Sequence, residues 1–475
     1  MGDCEIFNFN ETEIDSVTSV SKERLLKSVF VAVKGIEGDG ADYATEAVIN
    51  GAKAVIYETE IKNMMDGITY IKVPDSRKAQ SIAASLVYSK PSEKLDLTAV
   101  TGTNGKTSFA YIYRHILNNC DKKCGMIGTV EYDLGKRCLV PERTTPDAVF
   151  LQRHLNEMVV SGLNYAVLEV SSHSLALKRV LQTQFDSAVF TNLSEEHLDF
   201  HKDMNEYAEV KSDLFRSYMK PEGVSIINID DEYSDLFIKA CSGKVRTYSS
   251  RSKNSDLYIA GIVRTGQGQI IDYVHSGRVF RVKTNLSGDF QAYNIAASIL
   301  CALEKGILFD QIVSALIEPV IIPGRMETVY KNSFEVIIDY AHTPDALKNT
   351  IESVKKNKKG RIITVFGCGG NRDQAKRSVM GRIAEELSDK VIVTSDNPRF
   401  EDQISITDDI IRELATKKIK IENDRRNAIK AAIESAQEND VVIIAGKGHE
   451  CYQEINGVKY PFSDKEEVLK ITGSV

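Results

Sequence analysis

Apolar positions along the chain gather into short runs, and the stretches between them carry the helical period. Runs of this kind, rich in Val and Ile and without alternation, read as strands buried on both faces. In residues 1 to about 90 they fall at 28–33, 54–57 and 71–73, with a Gly-Asp-Gly turn at 38–40 and a helical stretch from Ala79 to Tyr88. Pro91 then interrupts the pattern and predicts the end of a small α/β unit. From 92 to about 320 buried runs recur at 95–100, 165–170, 187–190 and 224–228, with helices between them. That alternation predicts a doubly wound, mostly parallel sheet. Residues 251–287 read as an antiparallel hairpin insert, and Phe290 to Lys305 as a helix. Pro323-Gly324 marks a second boundary, and runs at 335–339, 361–366, 390–394 and 440–445 predict a third α/β unit. The expected domains are therefore 1–91, 92–321 and 322–475.

One loop departs from this background. Thr101-Gly102-Thr103-Asn104-Gly105-Lys106-Thr107-Ser108 lies between the β-prone run 95–100 and a helical run from Phe109 to Leu117. A glycine loop between strand and helix lets backbone N–H groups approach an anion, and the helix turns its positive end toward it. Lys106 is placed to reach terminal phosphates, and the Thr107 hydroxyl to hold Mg²⁺. Only two residues separate Gly102 from the Gly105-Lys106 pair, where the common P-loop has four. The loop predicts a nucleoside triphosphate site.

Composition narrows the setting. At 475 residues, 42% hydrophobic and 27% charged, the chain is ordinary for a soluble globular protein of about three domains. A formal net charge of -7 gives no basic footprint for nucleic acid. No apolar run is long enough to span a bilayer and no signal-peptide pattern opens the chain, so a cytoplasmic protein without membrane insertion is expected. The eight cysteines are scattered, which favours reduced thiols over a disulfide framework. Cys120, Cys124 and Cys138 could suggest a metal site, but only His115 lies near them, and plain thiols are expected.

A triphosphate site also needs oxygen ligands for its metal. Glu169 ends an apolar strand and is followed by Ser171, Ser172 and His173; the next strand leads into a polar cluster from Thr191 to His201 that includes His197. In the third unit, three strands each end in a loop dense with glycine or polar residues, at 367–373, 395–399 and 446–450. Ligands of open α/β sheets bind beyond the carboxyl ends of strands, so three such loops predict a second substrate site.

Taken together these stretches resemble the Mur ligases, most closely those of the MurE type. The resemblance runs from the phosphate loop to the C-terminus. It rests on that loop, Glu169–Val180, Phe190–His201, Gly288–Asn294, Pro323–Glu327, Asp339–Leu347, Phe366–Asp373, Asp396–Arg399 and Ala445–Glu450. It implies a UDP-binding N-terminal domain, a central ATPase and a C-terminal Rossmann-like domain. It further implies that a nucleotide-linked dipeptide's carboxylate takes the γ-phosphate of ATP, and that the acyl phosphate is then attacked by an amino acid's amine. Lys211 matches the family lysine that CO₂ converts to a carbamate, an oxygen ligand for a second Mg²⁺. Lys106, Glu169 and His197 complete the implied catalytic and metal set with Thr107. Asn294, Arg325 and Asp339 match positions that hold ATP beside the loop residues.

For the UDP-muramoyl-dipeptide, the resemblance implies contacts from Ser21, Thr144, Thr145, Ser171 and Arg179, with Ile36-Glu37-Gly38 as further uridine contacts. Here the chain departs from the family: Val20-Ser21-Lys22 replaces Asp-Ser-Arg, Leu177 replaces a Gln, and Arg143 stands where Asn is common. Arg372, Asp396, Asn397, Pro398, Arg399, Gly446 and Glu450 match the contacts of enzymes that add meso-diaminopimelate. Arg399 offers a planar fork to a distal carboxylate that lysine lacks, and Glu450 an acceptor for the distal ammonium. The expected partners are small molecules only, for a chain working as a monomer. Ligation of L-lysine or another amine, an amide ligase acting on folate, a kinase and a non-catalytic nucleotide binder remain as alternatives; the loops at 396–399 and 446–450 oppose the folate and kinase readings, and Lys106, Glu169 and Lys211 oppose the last.

Overall fold

The computed structural model describes residues 4–35, 38–356, 359–414 and 418–474; Ile36 and Glu37, two of the expected uridine contacts, lie outside the described residues. The α/β class expected from the alternating runs is what the chain adopts. Its strands form three large sheets, of five, eleven and six strands, and one separate hairpin, Tyr452–Ile455 with Val458–Pro461.

The first sheet is ordered Glu5–Phe7, Thr69–Lys72, Ala52–Tyr57, Ser28–Ala32, Ser16–Thr18, parallel except at its first strand. The eleven-stranded sheet has Asp96–Thr101 near its middle, between Phe185–Phe190 and Tyr165–Glu169, all parallel. Both faces of these strands are covered, which is why their apolar runs do not alternate. The insert at 251–287 is a correction. Three strands, Leu257–Thr265, Gly268–His275 and Arg278–Thr284, form an antiparallel meander rather than a hairpin. The meander is fused to the central sheet by the parallel pairing of Lys244–Ser249 with Leu257–Thr265. The six-stranded sheet runs Glu327–Lys331, Glu335–Asp339, Val441–Ala445, Ile362–Phe366, Lys390–Val393, Ile419–Ile421, antiparallel only at its first strand.

The first and second sheets meet along the helix Ala148–Val160. Val149 joins the apolar core under the first sheet, and Arg153 bonds Tyr88 Oη at 3.0 Å and Glu23 at 3.1 Å. On the same helix His154 is buried against the rings of Tyr132 and Phe150, its Nδ1 without a partner. Burial lowers its pKa to about 4, from 6.5. The folded state therefore binds fewer protons than the unfolded chain between those values, and stability falls as pH drops from about 6.5 toward 4. Across that window the loss from His154 is on the order of 3 kcal/mol. His154→Phe, which keeps the ring packing, should flatten this acid limb. Urea midpoints of both proteins at about pH 7 and about pH 5 check it, and parallel losses would refute it.

Candidate active site

Where the chain crosses from one side of the strand Asp96–Thr101 to the other, three strand ends converge: Thr101, Glu169 and Phe190. The phosphate loop leaves the middle one and enters the helix Lys106–Asn119, whose apolar residues Phe109, Ile112, Ile116 and Leu117 are fully buried. Gly105 caps this helix at φ +90°, and a Cβ there would sit 2.5 Å from Asn294 Oδ1. Only glycine fits that turn while Asn294 packs on it. Thr191 Oγ1 and Asn192 Nδ2 donate to Asn104 O at 2.7 and 3.0 Å, and Asn104 N donates to Asn192 Oδ1 at 3.0 Å. The loop is thus held open by the next strand's polar tail.

A cleft of about 640 Å³ opens over the loop. Its walls include Thr103 to Ser108, Thr144, Glu169, Ser171, His197, Lys211, Asn294, Arg325 and Asp339, residues spread over more than two hundred positions of sequence. Gly102 lies beneath the loop, its carbonyl accepting from both Lys106 Nζ at 2.8 Å and Lys211 Nζ at 3.1 Å. Lys106 also donates to Thr103 O at 2.8 Å, so its ammonium is folded back over the loop. Burial, with Arg325 nearby, lowers the pKa of Lys106 against the opposing pull of Glu196 and Glu169. For Lys211, burial and the charge of Lys106 push it well down, toward the neutral amine.

Glu169 is fully buried and makes no ion pair among the described residues. Its oxygens accept from Thr107 Oγ1 at 3.0 Å, Thr129 Oγ1 at 2.9 Å and Thr129 N at 3.0 Å. A buried carboxylate held only by neutral donors is expensive, and a cation beside it would offset the cost. With the Thr107 hydroxyl and the His197 ring on the same wall, the donor set fits a hard, oxygen-seeking divalent ion. His197 adopts φ +59° and meets His173 edge to face, with ring centroids 4.8 Å apart. Burial lowers the pKa of His197 to about 4, which leaves the imidazole neutral and able to ligate.

Sequence reasoning did not single out Glu196. It is half-buried, 3.6 Å from His197 Nε2 and 3.3 Å from His342 Nε2. Burial alone would raise its pKa, but the His342 hydrogen bond and the charges of His197, His342 and Lys106 hold it well below the usual carboxylate range. With Asn104 Nδ2 to Asp345 at 3.4 Å and Arg325 Nη2 to Thr107 Oγ1 at 3.4 Å, the Glu196–His342 contact ties the second sheet's loops to the third's across the cleft. Arg325 also lies over the Tyr340 ring at 4.3 Å. Asp339 lines the cleft, but its carboxylate already accepts from Met326 N, Ala341 N and Thr350 Oγ1 at 2.7–3.1 Å.

Of the residues expected at the sugar-peptide, four cluster. Thr144 Oγ1 meets Thr129 Oγ1 at 3.1 Å, Thr145 Oγ1 meets Ser171 Oγ at 3.4 Å, and Arg179 Nη1 donates to Thr145 O at 3.1 Å. Ser21 is apart from them. Its hydroxyl donates to Glu46 Oε2 at 2.5 Å, and no hydrogen bond joins it to that group among the described residues.

The three loops of the third sheet do come together, at a second place. Gly370 N donates to Asn397 O at 2.9 Å, and Arg399 Nη1 to Gly370 O at 2.8 Å. Asn397 Nδ2 donates to Glu450 Oε2 at 2.8 Å. Gly446 sits at φ +112° with a Cβ position 2.6 Å from Asp396 Oδ2, and Arg372 is exposed at the rim. The unforeseen part is what lies below. Arg425 and Asp464, both fully buried, pair at 2.7 and 2.8 Å, and Arg425 donates to Ser395 O and Ala445 O, the bases of two of the loops. Asp464→Ala would strand a buried guanidinium, and should destabilise the protein by about 3–5 kcal/mol in chemical denaturation. A loss under ~1 kcal/mol would contradict it.

The two places are linked through Gly324, at φ +64°, where a Cβ would lie 2.2 Å from His449 N. No side chain fits between the arginine that reaches the phosphate loop and the loop that carries Glu450.

The comparisons with known proteins match this geometry. Residues 100–302 match the model of the Mur ligase middle domain, and 324–448 that of the Mur ligase glutamate ligase domain. The chain is 45% identical over 461 residues to the UDP-N-acetylmuramoyl-L-alanyl-D-glutamate–2,6-diaminopimelate ligase of Aquifex aeolicus, covering 97% of this chain and 94% of that one. A solved structure of a ligase of the same name is 33% identical, with a TM-score of 0.69 over 97% of this chain and 95% of the other. The MurF ligase of Thermotoga maritima, solved with ADP, shares the fold at 21% identity, with a TM-score of 0.69 and 97% of both chains covered. By sequence over nearly its whole length, and by fold, the chain belongs to the Mur ligase family.

Proposed function

We propose that this chain joins the amine of meso-diaminopimelate to the free carboxylate of UDP-N-acetylmuramoyl-L-Ala-D-Glu, with ATP converted to ADP and phosphate, in peptidoglycan precursor synthesis. Residues 1–91 receive the uridine end with Ser21, 92–321 bind ATP, and 322–475 bind the amino acid. Thr144, Thr145, Ser171 and Arg179 receive the sugar-peptide. The enzyme works as a cytoplasmic monomer on small molecules, without nucleic acid; no helix of the described residues is long and apolar enough to cross a membrane.

The chemistry begins with two anions approaching each other. A carboxylate near a triphosphate meets a repulsion of about 4 kcal/mol per charge pair at ~4 Å for an effective dielectric of ~20. Lys106 opposes it. Its present bonds to Gly102 O and Thr103 O are ones a phosphate oxygen can replace, which carries the ammonium onto the transferring group. The backbone N–H groups at the start of helix Lys106–Asn119 add donors in the same direction, and Arg325 adds a second cation. Asn294, at the loop's back, and Asp339 hold the nucleoside side. Thr107, Glu169 and His197 would hold Mg²⁺, with Lys211 as its carbamate for a second ion; bound there, the metal screens phosphate charge as the phosphoryl group moves. The carbamate forms when the neutral Lys211 amine attacks CO₂: an N–C bond forms, one amine proton leaves, and a neutral side chain becomes an anionic ligand. The carboxylate oxygen then takes the γ-phosphoryl group, ADP departs, and the amino acid's amine attacks the acyl phosphate and releases phosphate.

The observation that carries this reading is the cleft in which the phosphate loop, a buried Glu169 with no ion pair among the described residues and a buried, neutral-leaning Lys211 meet. Phosphate release from ATP, measured with UDP-MurNAc-L-Ala-D-Glu and meso-diaminopimelate, L-lysine or no amino acid, tests it. Turnover with diaminopimelate alone is expected. Turnover with lysine would keep the ligase and overturn its specificity; none with any amine would overturn the nucleotide-sugar substrate.

A further inference from the structure

Within the amino-acid loops one cation has no role in the reading above. Lys447 is fully buried, yet its ammonium bonds two residues of the site. It donates to Asn397 Oδ1 at 3.0 Å and to Glu450 Oε2 at 2.8 Å, with the Tyr452 ring 5.5 Å away. Asn397 completes a closed arrangement. Its Nδ2 donates to the same Glu450 Oε2 at 2.8 Å, and its Oδ1 also accepts from Glu454 N at 2.9 Å. Both lone pairs of the amide oxygen are therefore used. Glu450 Oε2 takes two donors, while Oε1 has no partner among the described residues. An ionised carboxylate bound on one oxygen keeps the other as a fixed acceptor, and the fixing atoms decide where it points.

We propose that Lys447, with Asn397 as its relay, is a positioning residue that locks Glu450 with Oε1 turned to the incoming amino acid's distal ammonium. The Asn397 side chain then also acts on the amino acid through Glu450. Lys447 also spans the two loops that must agree for the site to exist, since 396–399 follows one strand and 446–450 another. The inference rests on the proposed amino-acid site and adds to it the device that orients its acceptor.

Lys447→Met removes the charge and keeps the stem. Losing one charge-assisted hydrogen bond should raise KM for meso-diaminopimelate roughly 10- to 100-fold. KM for ATP and for the UDP-dipeptide should stay within about twofold, and kcat at saturating amino acid within about threefold, since the device strengthens amino-acid binding equally in the ground and transition states. In the Glu450→Gln background the same substitution should add almost nothing, because the residue acts through Glu450. Equal rises in all three KM values, additive losses in the double variant, or an unchanged KM would each overturn the proposal. Lys447→Gln, which keeps a donor without the charge, is the second variant; if neither folds, the role is structural and the proposal fails. Should the wild type use another diamine, the specificity reading fails separately, and the KM test moves to that diamine with the same expectations.

Discussion

Lys211→Met should lose about 10⁴-fold in kcat for phosphate release, while ATP binding holds within a few-fold. The size follows from where the amine sits. Its only hydrogen bond among the described residues is to Gly102 O, beneath the phosphate loop, and it lies over the Tyr207 ring at 4.7 Å with almost no exposure. A lysine kept there as a cation would face Lys106 across a few ångströms of low-dielectric interior, and burial already drives it toward the neutral form. A neutral amine is the form that captures CO₂. Once carbamylated, the side chain contributes an anion where the wall otherwise offers Thr107, Glu169 and His197, and the charge beside the triphosphate changes by one from that of the neutral amine. Methionine fills the volume and supplies neither charge nor oxygen. The companion measurement is wild-type turnover in buffer stripped of CO₂ and bicarbonate, which should fall and recover on bicarbonate addition. A methionine variant within tenfold of wild type would end the carbamate reading.

Much of this site could be read from the chain because its residues sit in short contiguous stretches at strand ends. The loop 101–108, Glu169 after a buried run, and the polar tails after the strands of the third sheet are local patterns with local causes. The elements that escaped reading lack such causes. Glu5–Phe7 is exposed throughout and pairs with Thr69–Lys72, some sixty positions away. Ser16–Thr18, Glu327–Lys331 and Ile419–Ile421 are likewise edge strands, with no doubly buried run to announce them. The meander at 257–284 showed as a hairpin because its third strand is mostly exposed and polar. Helix Ala44–Ile49 is too short to establish a period.

The missed side chains fail for a different reason, since each is defined by a partner far along the sequence. Glu196 stands beside an equivalent Glu195, and only His342 tells them apart. Arg425 looks like a surface arginine opening a helix until Asp464 closes over it. Arg377 is similar: it is buried beneath the loops, pairing with Glu401 and Asp409, and Glu401 in turn accepts from Asn371 N at 2.9 Å. The Arg377 hydrogen bond lowers the Glu401 pKa to about 2. Ion pairs of this kind shape the amino-acid loops from below. Their sequence signature is a lone charge, indistinguishable from a solvated one.

Arg399 is where the local and long-range parts meet, and Arg399→Ala should collapse the preference for meso-diaminopimelate over L-lysine by about 10⁴-fold. The side chain is held at two of its three nitrogens: Nη1 donates to Gly370 O, and Nε faces Glu454 Oε2 at 3.6 Å. Its backbone, at φ +54°, is pinned on both sides, Arg399 N donating to Glu454 O and Asn456 N to Arg399 O. Nη2, at the outer edge of the guanidinium, has no partner among the described residues and suits a carboxylate. Lysine would desolvate that edge without returning a partner, and discrimination of about 10⁴ corresponds to about 5.5 kcal/mol. Alanine removes the penalty along with the attraction. The kcat/KM for diaminopimelate should therefore fall steeply while that for lysine stays level or rises. The ratio of the two constants in wild type and variant is the measurement. A variant that loses both amino acids equally would show Arg399 to be closing the turn at Pro398 rather than reading the substrate, and Glu450, held by Lys447, would then be left as the residue that recognises the distal end.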